Sequence, residues 1–74
     1  MSEPDALSLE VGDRPINLTQ VLKLSGAVLS GGEAKSLIAS GSIRVNGQVE
    51  LRKRRQMARG DVVEIDSGPT IALV

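Results

Sequence analysis

The sequence predicts an α+β domain: a compact helix pair packed on a small, mainly antiparallel sheet of three to five short strands. Three observations carry that reading. Alternating apolar residues mark short strands near both ends, Leu7-Leu9-Val11 and Val63-Ile65. Between them, Leu18, Val21 and Leu22 and then Ala34, Leu37 and Ile38 recur at helical spacing. Turn signals at Asn46-Gly47 and Gly60-Asp61 fold the second half back on itself. Seventy-four residues make one domain, residues 1–74, with its core expected over about residues 7–65.

Residues 1–5 are expected to form a flexible start. From Leu7 the chain alternates apolar and polar positions as a half-buried strand does. Gly12, Asp13 and Pro15 then turn it. Asn17 is a good N-cap, because its side-chain oxygen can accept from a free first-turn amide; the helix is expected over 18–25. Ser25-Gly26 stops it. Ser30-Gly31-Gly32-Glu33 has the spacing of a capping box, in which Ser30 accepts from the Glu33 amide and Glu33 reaches back to the Ser30 amide. Gly41 stands where the second helix needs a left-handed stop.

Ile43 and Val45 begin the next strand, Asn46-Gly47 turns it, and Val49 and Leu51 continue it. A two-residue turn would pair Val45 with Gln48 and send Val49 to the opposite face. A three-residue loop or a bulge would gather the four apolar residues on one face, and that is the expected arrangement. Val63 and Ile65 form the closing core strand. Residues 66–74 are expected to be flexible, with Ile71 to Val74 either an edge strand or loose chain.

Composition narrows function by exclusion. Without His or Cys the usual general base, the strongest nucleophile and thiolate metal ligands are all missing. The serines fit caps and turns, Gly31-Gly32 fits helix capping, and Asp61 with Glu64 fits a solvated strand end. No catalytic residue, cofactor or metal site is therefore expected. The longest apolar run, the final Ile71-Ala72-Leu73-Val74, is far short of the roughly 20 residues a membrane span needs, and the acidic N-terminus is no signal peptide. A cytoplasmic monomer is expected.

The net charge of zero conceals a strong asymmetry. Residues 14–59 hold all nine Lys and Arg against two acids, Glu33 and Glu50, a local balance of +7. Such a patch is the footprint of a polyanion binder. Its densest part is Arg52, Lys53, Arg54 and Arg55, followed by Arg59. Four adjacent cations repel one another, a cost to a small fold that a bound polyanion relieves. Readers of single strands stack bases on aromatic rings, and this chain has no Phe, Tyr or Trp. Lys and Arg reading phosphates and backbone shape suit folded or double-stranded RNA.

In order and spacing, "INLTQVLKLSGAVLSGGEAKSLIASG", "SIRVNGQV" and "GDVVEI" resemble the alpha-L RNA-binding domain named after ribosomal small-subunit protein S-four, over about residues 16–65. "ELRKRR" and "SGGEAK" look like its small stand-alone bacterial members. The resemblance implies a non-enzymatic module for structured RNA, ribosomal or transfer, with ribosomal particles as a further partner. It implies an RNA surface formed by the helix pair and hairpin, with Lys35, Arg44, Asn46 and Gly47 on it and Arg52, Lys53, Arg54 and Arg55 extending it. Many members open with Arg-Leu-Asp and carry Ser-Arg at the second helix, where this chain has Ile16-Asn17-Leu18 and Ser30-Gly31. Both changes remove a cation and shift weight to the later cluster. Two other readings are an adaptor docking its basic patch on an acidic protein and a β-grasp sulfur carrier. The carrier would need a terminal Gly-Gly, and this chain ends Ala72-Leu73-Val74.

Overall fold

A computed structural model describes residues 6–74, so the expected flexible start at 1–5 lies outside the described residues. Strand β1 (Ala6–Leu9) leads through a turn to a short β2 (Ile16–Asn17) and the helix α1 (Leu18–Leu24). Helix α2 (Gly31–Ala39), β3 (Ile43–Val45), β4 (Gln48–Val49), β5 (Gln56–Met57), β6 (Val62–Ile65) and β7 (Thr70–Leu73) follow. Five strands form one sheet in the order β1-β7-β6-β3-β4. The β1–β7 pair is parallel and the others are antiparallel. Strands β2 and β5 make a separate two-stranded antiparallel ladder. The expected α+β class holds, with a mixed five-stranded sheet.

Alternation decides which face of the sheet meets the helices. Ile43, Val45, Val63, Ile71 and Leu73 are buried on one face, against Leu18, Val21 and Leu22 of α1 and Ala34 and Ile38 of α2. Leu7 and Leu9 of β1 pack at the margin of this core. Val11 after β1, Val28 in the helix connection and Ile16 and Met57 in the small ladder complete it. Arg44, between Ile43 and Val45, points to the other face.

Helix starts are capped by both expected residues, with the roles redistributed. At α1 the Asn17 side chain accepts from the Gln20 amide at 2.9 Å and Gln20 accepts from the Asn17 amide at 2.8 Å, so the full capping box is here. At α2 Ser30 accepts from the Glu33 amide as expected. The Glu33 carboxylate passes over Ser30 and accepts from the Leu29 amide at 2.7 Å. The expected box at Ser30 is therefore half formed, and Glu33 fastens the helix connection instead. Gly41 stops α2 with φ +79°, as its position predicts.

Two expectations are corrected. The β3–β4 turn has two residues after all: Val45 pairs with Gln48 and Arg44 with Val49. Asn46 at φ +52° and Gly47 at φ +87° give the mirror-image turn that a tight hairpin favours. The Asn46 side chain then locks it, accepting from the Val62 amide at 2.9 Å and donating to Asp61 at 3.0 Å. Val49 is consequently half exposed, and Leu51 lies beyond the strand on the surface. The core also does not end near residue 65. Residues 70–73 form β7 between β1 and β6, and Ile71 and Leu73 are buried. A core without aromatic side chains needs more aliphatic ones, and this strand supplies two.

Candidate nucleic-acid interface

The basic run occupies the loop from β4 to β5, and its shape is set by the acid that precedes it. Glu50 is the one charged side chain buried among the described residues. One of its oxygens accepts from the Arg52 amide at 3.0 Å and from Arg52 Nε at 2.9 Å, and the other accepts from Arg52 Nη2 at 3.1 Å. Arg55 Nε pairs with the same carboxylate at 2.9 Å. The Arg52 side-chain hydrogen bonds, opposed by burial and aided by the Arg52 amide and by both guanidinium charges, lower the Glu50 pKa from 4.5 to about 2. Arg55 also lies 3.7 Å from Asp61 and donates to the Met57 sulfur. Asp61 in turn accepts from the Ala58 amide and from Asn46.

Two of the four cations in the run are thus paired with the Glu50 carboxylate, Arg55 partly buried and Arg52 still exposed. The two between them, Lys53 and Arg54, are exposed and have no acidic partner among the described residues. Their loop is pinned to the start of α1. The Lys53 carbonyl accepts from the Thr19 amide at 3.2 Å and from the Thr19 hydroxyl at 2.9 Å, and the Arg55 carbonyl accepts from the Leu18 amide at 3.0 Å. The β2–β5 ladder continues that junction. First-turn amides of a helix lack intrahelical partners, and here the basic loop supplies them.

Lys35 is exposed on α2, where the sequence puts it. It shares a helix face with Gly31, four residues earlier. Lys23, in the last turn of α1, runs its aliphatic stem past Gly31. Lys23 and Lys35 therefore stand along one strip of the helix pair, and neither has an acidic partner among the described residues. Lys23 has no distinguishing sequence signal, since a lysine in the last turn of a helix also suits the helix dipole.

The remaining expected residues lie elsewhere on the fold, with Asn46 linked to the basic loop through Asp61. Arg44 lies on the sheet face away from the helices, opposite Glu64, and pairs with Asp66 at 3.3 Å. Asn46 uses its side chain to tie the hairpin turn to Asp61 and the start of β6, and Gly47 is exposed at the tip. Arg59 pairs with Asp13 at 3.2 Å beside the turn that follows β1. Among the described residues no helix is long and apolar enough to cross a membrane, and no group of three acids could hold a metal ion.

A helix pair set on one face of a small mixed sheet, with a basic loop closing the start of its first helix, makes this a compact α+β domain of alpha-L type. The chain belongs to the S4 domain family, whose model matches residues 9–74. It is 37% identical over 68 residues to YbcJ of Escherichia coli strain K12, provisionally named an RNA-binding protein, covering 90% of this chain and 96% of the relative. It is 36% identical over 66 residues to RlbA of Bacillus subtilis strain 168, provisionally named a ribosome maturation protein, covering 89% of this chain and 87% of the relative. The solution structure of Escherichia coli YbcJ, described as having an alpha-L motif involved in RNA binding, superposes with a TM-score of 0.62 at 34% identity. That match covers 97% of this chain and 91% of the other.

Proposed function

We propose that this chain is a non-enzymatic, cytoplasmic module that binds structured RNA, ribosomal or transfer, with ribosomal particles as its place of action. Lys53 and Arg54 make the principal phosphate contacts, with Lys23 and Lys35 extending them along the helix pair. Arg52 and Arg55 shape the loop, and Arg44, Asn46 and Gly47 contribute at its margin. The observation that carries this reading is the division of charge within the basic run. Its neighbouring acids hold Arg52 and Arg55 and leave Lys53 and Arg54 outward on a loop fixed to a helix. The name of YbcJ supports the same ligand class, and that of RlbA supports a place of action on ribosomal particles. The lack of aromatic rings supports phosphate and shape reading over base stacking.

The test is RNA binding as a function of salt. Each phosphate neutralised contributes a slope of about −0.7 to −0.9 in log affinity against log salt. Lys53→Gln with Arg54→Gln should therefore flatten the slope by about 1.4–1.8 on an RNA hairpin. The loss should be similar for unrelated hairpins, since phosphate contacts carry no direct sequence information. Arg44→Gln should leave most of the slope intact. A wild-type slope in the Lys53/Arg54 double variant would refute this reading. Failure of the wild-type protein to bind any structured RNA would turn attention to an acidic protein partner.

A further inference from the structure

We propose that Glu50 is the positioning residue of the RNA-binding loop, an acid that strengthens binding by holding the cations around it in place. The inference rests on the RNA reading above and goes beyond it, because it gives a negative residue inside the basic surface a favourable role. Within a run of four cations, mutual repulsion favours a splayed, disordered loop. Glu50 gathers the first and last of them, Arg52 and Arg55, onto one buried carboxylate. The chain between them must then bulge outward, and Lys53 and Arg54 are the residues on that bulge.

A second anchor is independent of charge. The carbonyls of Lys53 and Arg55 are held by the Leu18 and Thr19 amides and by the Thr19 hydroxyl. Glu50 fixes the side chains of the loop and α1 fixes its backbone. A third tie runs from Arg55 through Asp61 to Asn46, which joins the loop to the β3–β4 turn. Binding by an ordered loop avoids the loss of freedom that a floppy one incurs on association.

Substituting Glu50→Gln separates this role from simple charge, because the two predict opposite signs. The variant keeps the side-chain size and raises the net charge by one. If Glu50 merely attenuates the patch, the freed guanidiniums should bind RNA more tightly and with a steeper salt slope. If Glu50 positions the loop, affinity for an RNA hairpin at fixed salt should fall by about five- to ten-fold in spite of the added charge. The slope should not steepen, and the Leu18 and Thr19 amides should exchange with solvent faster. Glu50→Asp, which keeps the charge, should recover part of the affinity.

Equal or tighter binding by a folded Glu50→Gln variant overturns the proposal. If that variant does not fold, Glu50→Asp decides: it changes no charge and shortens the reach of the carboxylate to Arg52 and Arg55. Weaker RNA binding with an unchanged salt slope supports the proposal, and wild-type affinity overturns it. The Lys53/Arg54 double variant tells the two readings apart. If it weakens binding while Glu50→Gln does not, only the positioning role fails. If it has no effect, the RNA surface is misassigned and both readings fall.

Discussion

Truncating Ile71 to alanine probes the part of the fold least expected from sequence. Ile71 has 0% exposure in β7, where its register places it beside Leu7 of β1 and Val63 of β6. The truncation removes about three methylene equivalents, so transfer alone costs about 2.4 kcal/mol at about 0.8 kcal/mol each. A residual cavity between two hydrogen-bonded neighbours collapses poorly, which brings the loss to about 3–4 kcal/mol, within the usual range for buried isoleucine. A domain of this length holds roughly 4–11 kcal/mol in total. The variant should therefore lose about a quarter or more of its stability. At about 4–8 °C per kcal/mol, Tm should fall by roughly 12–30 °C. Thermal unfolding followed by circular dichroism, with urea titration for the free energy, measures both. Val74→Ala, at a residue 50% exposed, is the control and should stay within about 0.5 kcal/mol of wild type. If Ile71→Ala melts within about 3 °C of wild type, residues 70–73 are not a central strand and the mixed topology is wrong.

Glu50 gives the protein an acid-sensitive element. Its folded pKa lies below its unfolded value, so its contribution is complete above about pH 4.5 and is lost as pH falls toward 2. Urea midpoints measured across that window should fall more steeply for wild type than for Glu50→Gln. Gly41→Val should cost about 1 kcal/mol or more, because φ is +79° while the nearest atom to an added Cβ is 3.9 Å away, leaving backbone strain as the cause. Gly41→Asn should cost less, since asparagine tolerates that conformation, and comparing the two melts checks the cause. Ser30→Ala should lower stability by about 1 kcal/mol in urea unfolding through loss of the bond to the Glu33 amide. Val49→Thr should change stability by less than about 0.5 kcal/mol, and a larger loss would argue for the bulged register that puts Val49 in the core.

The helices were legible because their signals are local. Asn17, Ser30 and Gly41 act within one turn of where they stand, and the apolar stripes at Leu18, Val21, Leu22, Ala34 and Ile38 are fixed by helical geometry. The hairpin register was not legible because alternation assigns Val49 and Leu51 to the core, whereas β4 ends at Val49 and leaves both exposed. Strand β7 was obscured by its brevity and by the Gly68-Pro69 pair before it, and nothing local reveals that its partner is β1. The basic run was legible as a concentration of charge. Its division was not, because in sequence Glu50 is only an acid adjacent to the run, and folding alone makes it the counter-ion of Arg52 and Arg55. Lys23 joined the surface only when the helix pair folded it against Gly31.

The parallel pairing of β1 with β7 sets an order of assembly. The helix pair and the β3–β4 hairpin are made from contacts close in sequence, which form fast. Strand β7 then reaches β6 across a tight turn. Strand β1 has no other neighbour in the sheet, and its partner lies at the far end of the described chain. Its docking requires the largest loop closure among the described strands and is expected to come last. A nascent chain halted before Thr70 would already contain the basic loop and both helices, yet Leu7 and Leu9 would have nothing to pair with. Removing the last strand of the sheet therefore removes the first as well.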